Sequence, residues 1–184
     1  MNKVQDIVTS TGLVDSDNAL HGQVHGVLKD GDGNVVHMFD TPNNIVLGIR
    51  IPIIKLLGGW SASVEDLPFV RQIALGLSDT PATIADEALG QELSGSRKLT
   101  ATVPTISEDG LRLTFSFLYD MVDDAVDNQD IKELGLYTTD GTMIARTTVG
   151  LWRKTPGLYF EIYWTIGYLS LIHISEPTRP EPIS

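Results

Sequence analysis

The alternation of apolar and polar positions is clearest between residues 131 and 147, where it predicts a β-hairpin. The first strand has Leu134 and Leu136 on one side and Glu133, Gly135 and Tyr137 on the other. A period of two is typical of a half-buried strand. Asp140-Gly141 then supplies residues that tolerate positive φ, as a tight hairpin turn requires. The second strand returns over residues 143–147, and the hairpin is interpreted as architectural.

Several further segments have the pattern of strands, with turn-forming residues between them. The clearest is residues 111–117, where apolar side chains alternate with Arg112, Thr114 and Ser116. The others are residues 24–28, 35–39, 69–75, 99–103 and 159–168. Together they predict a mainly β fold, an antiparallel β-sandwich of about seven to eight strands with one or two short helices.

Two segments account for the predicted helices. Thr41 and Pro42 have the form of a helix entry and lead into residues 45–60, which are apolar on almost every face. A helix there would be largely buried and kinked or divided at Pro52. Because the segment is too short to cross a bilayer, a core element is favoured over a membrane-active one. A second short helix is predicted around Leu89.

The chain divides into three parts. Residues 1–18 are weakly patterned and are interpreted as an N-terminal arm, and residues 19–168 as a single β-sandwich domain. Residues 169–184 have a different character. Residues 169–180 resemble a translated transposon-end sequencing adaptor, without a mismatch from Leu169 to Arg179. The last part is therefore predicted to be a non-native tail and is left out of functional reasoning.

Composition narrows the classes of function. The 184 residues suffice for one domain with a substantial core. The absence of cysteine excludes disulfides and thiolate metal sites. The formal net charge of −11 disfavours binding to nucleic acid or to anionic lipid. The sequence shows neither a signal peptide nor a membrane anchor, so we expect cytoplasmic synthesis without membrane insertion.

The turn at residues 30–34 is the metal candidate. Asp30, Asp32 and Asn34 match the first three ligand positions of a calcium loop. Val35, however, stands where that motif needs glycine, and Thr41 where it needs a bidentate glutamate. Asp-Gly repeats also form plain hairpin turns. The plain turn is the favoured interpretation, and no metal site is predicted.

Other polar clusters give no stronger ligand set. The acidic run over residues 120–130 is interpreted as a solvated loop rather than a cation site. His21 and His25 would stand too far apart on one strand to share an ion. His25 and His37 could be cross-strand neighbours, but two histidines alone make a weak site.

Nothing in the sequence meets the requirements of an active site. Neither a nucleophile elbow nor a phosphate-binding glycine loop is present. Glu133 and Asp140 could pose as an acid pair, but Glu133 is interpreted as making a structural hydrogen bond or a subunit contact. We therefore predict no catalytic residue, no cofactor and no enzymatic activity.

Three short motifs carry a resemblance. The first, in residues 73–93, has matching positions at Gly76, Thr80, Pro81, Asp86, Ala88, Leu89, Gly90 and Glu92. The second is a Glu-x-Gly-Leu hairpin from Glu133 followed by Ala145-Arg146, and the third is the closing strand with Trp164-x-Ile166. Over about residues 23–168 the chain resembles bacteriophage virion proteins, tail fibre and tail-associated proteins in particular. Leu77 departs from the Gly-Thr-Gly turn common in that group.

The resemblance implies a non-enzymatic structural component of a phage particle. The candidates are a tail fibre, a collar or another tail-associated protein, acting in assembly or host adsorption, with a capsid decoration or head-fibre protein as the alternative. The implied partners are other copies of the chain and other virion proteins, with a host surface glycan as a further candidate. The implied location is the virion, after synthesis in the host cytoplasm.

A free-standing carbohydrate-binding β-sandwich is the rival class. Such a module needs exposed aromatic side chains around a carboxylate-lined loop. The candidates are Tyr159, Tyr163 and Trp152, together with residues 120–130. Their expected role is instead to pack in a core or at a subunit interface.

Overall fold

The computed structural model of the protein describes residues 20–50, 53, 69–123 and 125–168. The predicted N-terminal arm, most of the predicted helix over residues 45–60 and the predicted non-native tail lie outside these residues. Within them the chain is mainly β, as the sequence predicts.

Nine strands form the framework of the described residues. They are β1 (Leu20–Lys29), β2 (Val35–Ile45), β3 (Val70–Gly76), β4 (Lys98–Leu99), β5 (Thr105–Ile106), β6 (Arg112–Tyr119), β7 (Asp130–Thr138), β8 (Met143–Arg153) and β9 (Tyr159–Tyr168). A single turn of 3₁₀ helix covers Leu47–Ile49. All the strand pairings are antiparallel, which confirms that part of the prediction.

The strands form one curled sheet in the order β4-β3-β7-β8-β2-β1-β9-β6-β5. Its two ends approach each other, because the amide of Ala101, just beyond β4, donates to the carbonyl of Ser116 on β6 at 2.7 Å. The count of nine corrects the predicted seven to eight, since β4 and β5 have two residues each and show no periodicity. The two separate sheets of a sandwich are not confirmed.

The curl depends on β2, which changes partners along its length. Residues 35–43 of β2 pair with β1, whereas Asn44 and Ile45 pair with Arg146 and Ala145 of β8. Pro42 lies near this change, and its carbonyl accepts a hydrogen bond of 2.7 Å from the Thr147 hydroxyl. The predicted helix entry at Thr41 and Pro42 is therefore wrong, because the backbone of this segment is committed to both halves of the sheet.

One apolar core lies on the concave side of the curl. Cross-strand neighbours on β6 and β9 supply its aromatic part, with Phe115 opposite Trp164 and Tyr119 opposite Phe160. Leu75, Leu134 and Leu136 enter the same core from the other half of the sheet. The predicted alternation of residues 111–117 is confirmed, since both of its phenylalanines are buried there.

The hairpin formed by β7 and β8 has the predicted strands and turn but not the predicted half-buried face. Leu134 and Leu136 face the main core, and on the opposite face Glu133 and Tyr137 are buried too. A second apolar cluster covers that face; its members are Val46, Ala74, Leu89, Tyr137 and Met143. The covering segment, residues 77–93, runs back over the hairpin, so the strand is buried on both sides.

Other local predictions also need correction. Residues around Leu89 form turns rather than a helix, and Leu89 itself is buried in the second apolar cluster. The predicted strand over residues 99–103 stops at Leu99, and Val103 is 84% exposed. Short propensity signals were overridden here by burial and by hydrogen bonds to distant strands.

Replacing Leu136 by aspartate is expected to prevent folding. The new carboxylate would stand unpaired in the main core, at a cost that approaches or exceeds the whole stability of a domain, about 5–15 kcal/mol. Far-UV circular dichroism and tryptophan fluorescence measure the outcome. Leu151→Asp is the matched control, because Leu151 is 66% exposed on the neighbouring strand. A folded Leu136→Asp protein would contradict the core assignment.

Candidate functional site

Glu133 lies at the centre of a buried polar cluster on the outer face of the hairpin. Its side chain is fully buried. Oε1 accepts hydrogen bonds from the amides of Gln91 at 2.8 Å and Ser78 at 3.2 Å, and Oε2 accepts one from the amide of Gly90 at 3.0 Å. Arg146 adds two more donors to Oε2, from Nε at 2.9 Å and Nη2 at 2.7 Å. Both carboxylate oxygens are thus fully engaged.

Arg146 extends the cluster into the covering segment. It is 3% exposed and sits on β8 directly opposite Gly135 of β7. Besides contacting Glu133, its Nη1 lies 2.7 Å from Oδ2 of Asp86, and its Nη2 donates to the carbonyl of Thr80 at 3.0 Å. One guanidinium therefore joins the sheet to two points of the segment, as its planar fork of donors allows.

Asp86 is the second carboxylate that contacts Arg146, and it is itself held by its own turn. Its carboxylate accepts hydrogen bonds from the amide of Thr83 at 2.8 Å and from the Thr83 hydroxyl at 2.7 Å. Burial alone would raise the pKa of Asp86. The hydrogen bonds from Thr83 and Arg146 outweigh burial, so the pKa lies below its ordinary value.

Glycine at position 76 makes room for the carboxylate. Gly76 of β3 is the cross-strand neighbour of Glu133. A Cβ there would lie 2.4 Å from Oε1 of Glu133 and 2.8 Å from the carbonyl oxygen of Gln91. Neither group can move away without losing its hydrogen bonds, so the site requires a residue without a side chain.

A buried cluster of this kind stabilises a fold only when its hydrogen bonds are complete. Removing two charges from water costs several kcal/mol per ion. Glu133 receives five hydrogen bonds and Arg146 contacts two carboxylates, which offsets that cost. The prediction that Glu133 makes a structural hydrogen bond is confirmed. The cluster orders residues 77–93, and it leaves the Glu133 carboxylate no oxygen for a substrate.

Two aspartates of the acidic run over residues 120–130 form ion pairs with lysine side chains and are not simply solvated. Asp127 forms an ion pair with Lys154, whose side chain is fully buried and also donates to the carbonyl of Met121 at 3.2 Å. Asp123 contacts Lys98 at 2.7 Å. The interpretation as a solvated loop is therefore wrong for these two aspartates, while Asp124 lies outside the described residues.

The turn at residues 30–34 uses its polar groups internally. Oδ1 of Asp30 accepts hydrogen bonds from the amides of Asp32 at 3.0 Å and Asn34 at 2.8 Å, and Oδ2 accepts one from the Asn34 side-chain amide at 3.0 Å. The hydrogen bonds from Asn34 hold the pKa of Asp30 below its ordinary value. The geometry is that of a self-capped hairpin turn.

His25 and His37, which were considered as a cross-strand pair, are not paired with each other in the structure. Nδ1 of His25 lies 2.9 Å from Oδ1 of Asp40, its cross-strand neighbour, whereas His37 stands opposite Leu28. The proposed His25–His37 pairing is therefore wrong. Glu133 and Asp140 do not act as a pair either, since Asp140 accepts a hydrogen bond from the amide of Thr142 in the hairpin turn.

The aromatic candidates for sugar binding lie on opposite faces of the sheet. Trp152 is 3% exposed and its ring centroid lies 3.7 Å from that of Phe160 in the main core. Tyr159 and Tyr163 lie on the outer face, where the Tyr163 hydroxyl donates to Glu161 at 3.1 Å. The core role expected for Trp152 is confirmed, and the three aromatic side chains do not form one site.

A concavity of about 420 Å³ opens on the outer face, where β1, β2, β6 and β9 come together. Polar side chains surround it; they include His21, Gln23, Asp40, Arg112 and Thr165. This site could not be predicted from the sequence, because its residues come from four strands whose register is set only in the fold. The alternation did place Arg112 and Thr165 on the polar side of their strands.

Three residues that link distant segments through hydrogen bonds or ion pairs were not predicted from the sequence. Arg146 appeared only as part of a motif, although a hairpin register set by the turn at Asp140-Gly141 would have placed it near Glu133. Lys154 showed no signal as a buried cation. Ser96 is fully buried, and its hydroxyl bonds both the amide and the carbonyl of Leu75, at 3.0 and 3.1 Å.

Comparison with known proteins adds no relative: no family model, curated protein or solved structure matches the chain. Within the described residues, no helix has the length and hydrophobicity that a membrane span requires. The same residues contain no group of three or more His, Cys, Asp or Glu side chains placed to hold a metal ion. The phage resemblance stays a prediction.

Replacing Glu133 by glutamine is expected to lower the free energy of unfolding by about 3–5 kcal/mol, the usual cost of removing one partner from a buried ion pair. The new amide group would face donors, and Arg146 would keep only Asp86 as a counter-ion. Urea denaturation measures the loss. Asp130→Asn is the matched control: its partner Arg153 is exposed, so we expect a loss below about 1 kcal/mol. Equal losses would contradict the role of the cluster.

The contribution of Asp86 is expected to depend on pH. Because its folded-state pKa is lowered below 3.8, the stability it adds is fully present at neutral pH. That stability is lost as the pH falls through the lowered pKa. Asp86→Asn should therefore cost about 1–3 kcal/mol at neutral pH, and the difference from the wild type should shrink below pH 3.8. Asp79→Asn, 82% exposed, is the control; a pH-independent difference would refute the assignment.

Proposed function

We propose that the chain is a non-enzymatic structural component of a bacteriophage particle: a tail fibre, collar or other tail-associated protein acting in assembly or host adsorption. The observation that carries this proposal is the convergence of two of the motifs behind the resemblance. Gly90 and Glu133 are 43 residues apart in sequence, yet their atoms are hydrogen-bonded. Asp86 of the first motif likewise meets Arg146 of the second. Residues of both motifs thus serve one buried structural cluster, which supports a structural role for them.

The chemistry of the cluster favours a structural role over a catalytic one. A general acid or base must be within hydrogen-bond reach of a substrate proton. Glu133 instead has both oxygens occupied by donors from the chain itself, and the covering segment closes over it. In this proposal, the cluster holds residues 77–93 in place over the hairpin and so sets the shape of the outer surface there.

Exposed apolar side chains on β2 support contacts between subunits. Val35, Val36 and Met38 are each more than half exposed and lie within four consecutive residues. A cluster of exposed apolar side chains is a mark of interaction sites. A symmetric particle component would repeat such a contact between identical copies.

The proposal includes the two-layered β-sandwich that the sequence predicts. Its support is the change of partner along β2, which pairs with β1 on one half of the sheet and with β8 on the other. Side chains from both halves enter one core, as the two layers of a sandwich do.

Replacing Val36 by lysine is expected to convert an oligomer to smaller species, because a charge would be buried at the proposed contact. Light scattering coupled to gel filtration, with negative-stain electron microscopy, measures the assembly. The matched control is Val103→Lys, which adds the same charge in a loop where Val103 is 84% exposed.

Two outcomes would contradict the proposed function. One is a wild-type chain that stays monomeric at every concentration while binding glycans, as a free-standing sugar-binding module would. The other is a gene neighbourhood without capsid, portal or tail genes. Flanking tail genes would favour the tail over the capsid alternative.

A further inference from the structure

At one end of the concavity on the outer face, a glycine lies between two donor side chains. In one row across the sheet, Gly167 of β9 lies between His21 of β1 and Arg112 of β6. A Cβ on Gly167 would meet Cγ of Arg112 at 2.7 Å. The glycine therefore allows the arginine stem to lie across β9, and His21, Arg112 and Gly167 all line the concavity.

The donor groups around this glycine are available to a ligand. Within the described residues, Arg112 has one acidic contact, Asp109 at 3.6 Å, which is longer than a hydrogen bond. Asp109 is itself engaged by the Leu111 amide at 3.0 Å. The side chains of His21 and Gln23 make no hydrogen bonds to other described residues. An arginine without a hydrogen-bonded partner is well suited to a carboxylate, which it can bind through two parallel hydrogen bonds.

Acceptors on the same surface argue against a simple inorganic anion. Asp40 lines the concavity, and the hydroxyl of Thr165 lies beside Gln23, where it keeps bonding capacity besides its contact of 2.9 Å with the Thr114 hydroxyl. A carboxylate that lines the concavity repels a multiply charged anion but accepts hydrogen bonds from ligand hydroxyls. The whole chain also carries a net charge of −11, which disfavours a ligand held by charge alone.

The next row of the sheet continues the site with aromatic rings. His25 and Tyr163 are cross-strand neighbours with ring centroids 6.2 Å apart, and Asp40 is paired with His25. Tyr163 is 38% exposed. Aromatic rings beside carboxylate and amide groups offer apolar and polar contacts together, as the two sides of a sugar ring require.

We propose that the surface around Arg112, Gln23 and Asp40 binds an acidic saccharide. Arg112 and His21 hold the sugar carboxylate at the end of the concavity that Gly167 lines, and Gln23, Asp40 and Thr165 bind its hydroxyl groups. A neighbouring sugar unit lies against the ring of Tyr163. The volume of about 420 Å³ suits one or two sugar rings. This proposal rests on the concavity itself and does not depend on assembly into a particle.

Titration of the full-length protein with glucuronic acid, glucose and inorganic phosphate tests the proposal, with binding followed by NMR chemical shifts. Glucose is the matched ligand, because it lacks only the carboxylate. We expect saturable shifts at Gln23 and Thr165 with glucuronic acid, and binding at least about tenfold weaker for glucose, the usual effect of losing a charge-assisted hydrogen bond. Phosphate should also bind at least about tenfold more weakly, because Asp40 repels it.

Variants locate the binding. Arg112→Ala should weaken glucuronic acid binding by at least about tenfold, and Gln23→Ala should weaken it as well. Arg71→Ala is the matched control, since it removes another exposed arginine from the other half of the sheet and should leave binding unchanged. Circular dichroism checks that each variant is folded.

Three results would overturn the proposal. They are shifts that do not saturate with glucuronic acid, binding of glucose or phosphate as tight as that of glucuronic acid, and an Arg112→Ala protein that binds as well as Arg71→Ala. Phosphate binding as tight as glucuronic acid would indicate an adventitious anion site only. The titration is made on whatever oligomer the chain forms. A protein that does not bind glucuronic acid would therefore leave the proposed structural role intact. A protein that proves monomeric would leave the proposed saccharide site intact.

Discussion

The structure depends on one buried ion pair, between Glu133 of β7 and Arg146 of β8. Its burial is favourable only with a complete set of hydrogen bonds, because two charges have been removed from water. Three of the donors to Glu133 are backbone amides of residues 78–91, and two acceptors of Arg146 lie in the same segment. The pair therefore links the burial of the hairpin to the path of a segment that carries no regular helix or strand.

The covering segment divides the outer face of the sheet into a closed half and an exposed half. Over β3, β7 and β8 the outer face is closed by the segment and by the second apolar cluster. Over β1, β9 and β6 it carries polar and aromatic side chains, with the concavity at one end. In our proposals, the closed half gives the module its rigidity, and the exposed half meets a ligand.

The sequence predicted those elements whose pattern is local. The strands β6, β7 and β9 were correctly placed because apolar residues alternate along them, and the hairpin turn followed from Asp140-Gly141. The two-residue strands β4 and β5 could not be predicted, since a period of two needs more residues to appear. The helix entry at Thr41 failed because the signals of a cap are generic, while the pairing of β2 with two partners is a tertiary property.

The sites were less predictable for a related reason. That Glu133 would have a structural role followed from the absence of catalytic partners, but its donors come from a segment with no pattern of its own. The buried pair of Asp127 with Lys154 was missed because charge runs are usually solvated. The concavity needs the register of four strands, which no local alternation specifies.

Amide hydrogen exchange at Ser78, Gly90 and Gln91 tests most directly whether the ion pair fixes the covering segment. If it does, these amides exchange as slowly as the core amides of β7 and β8, because they open only when the hairpin unfolds. Exchange as fast as that of the exposed turn at Gly110 would contradict the account. In that case the segment would open independently of the sheet, and the carboxylate of Glu133 would lose its three backbone donors without loss of the fold.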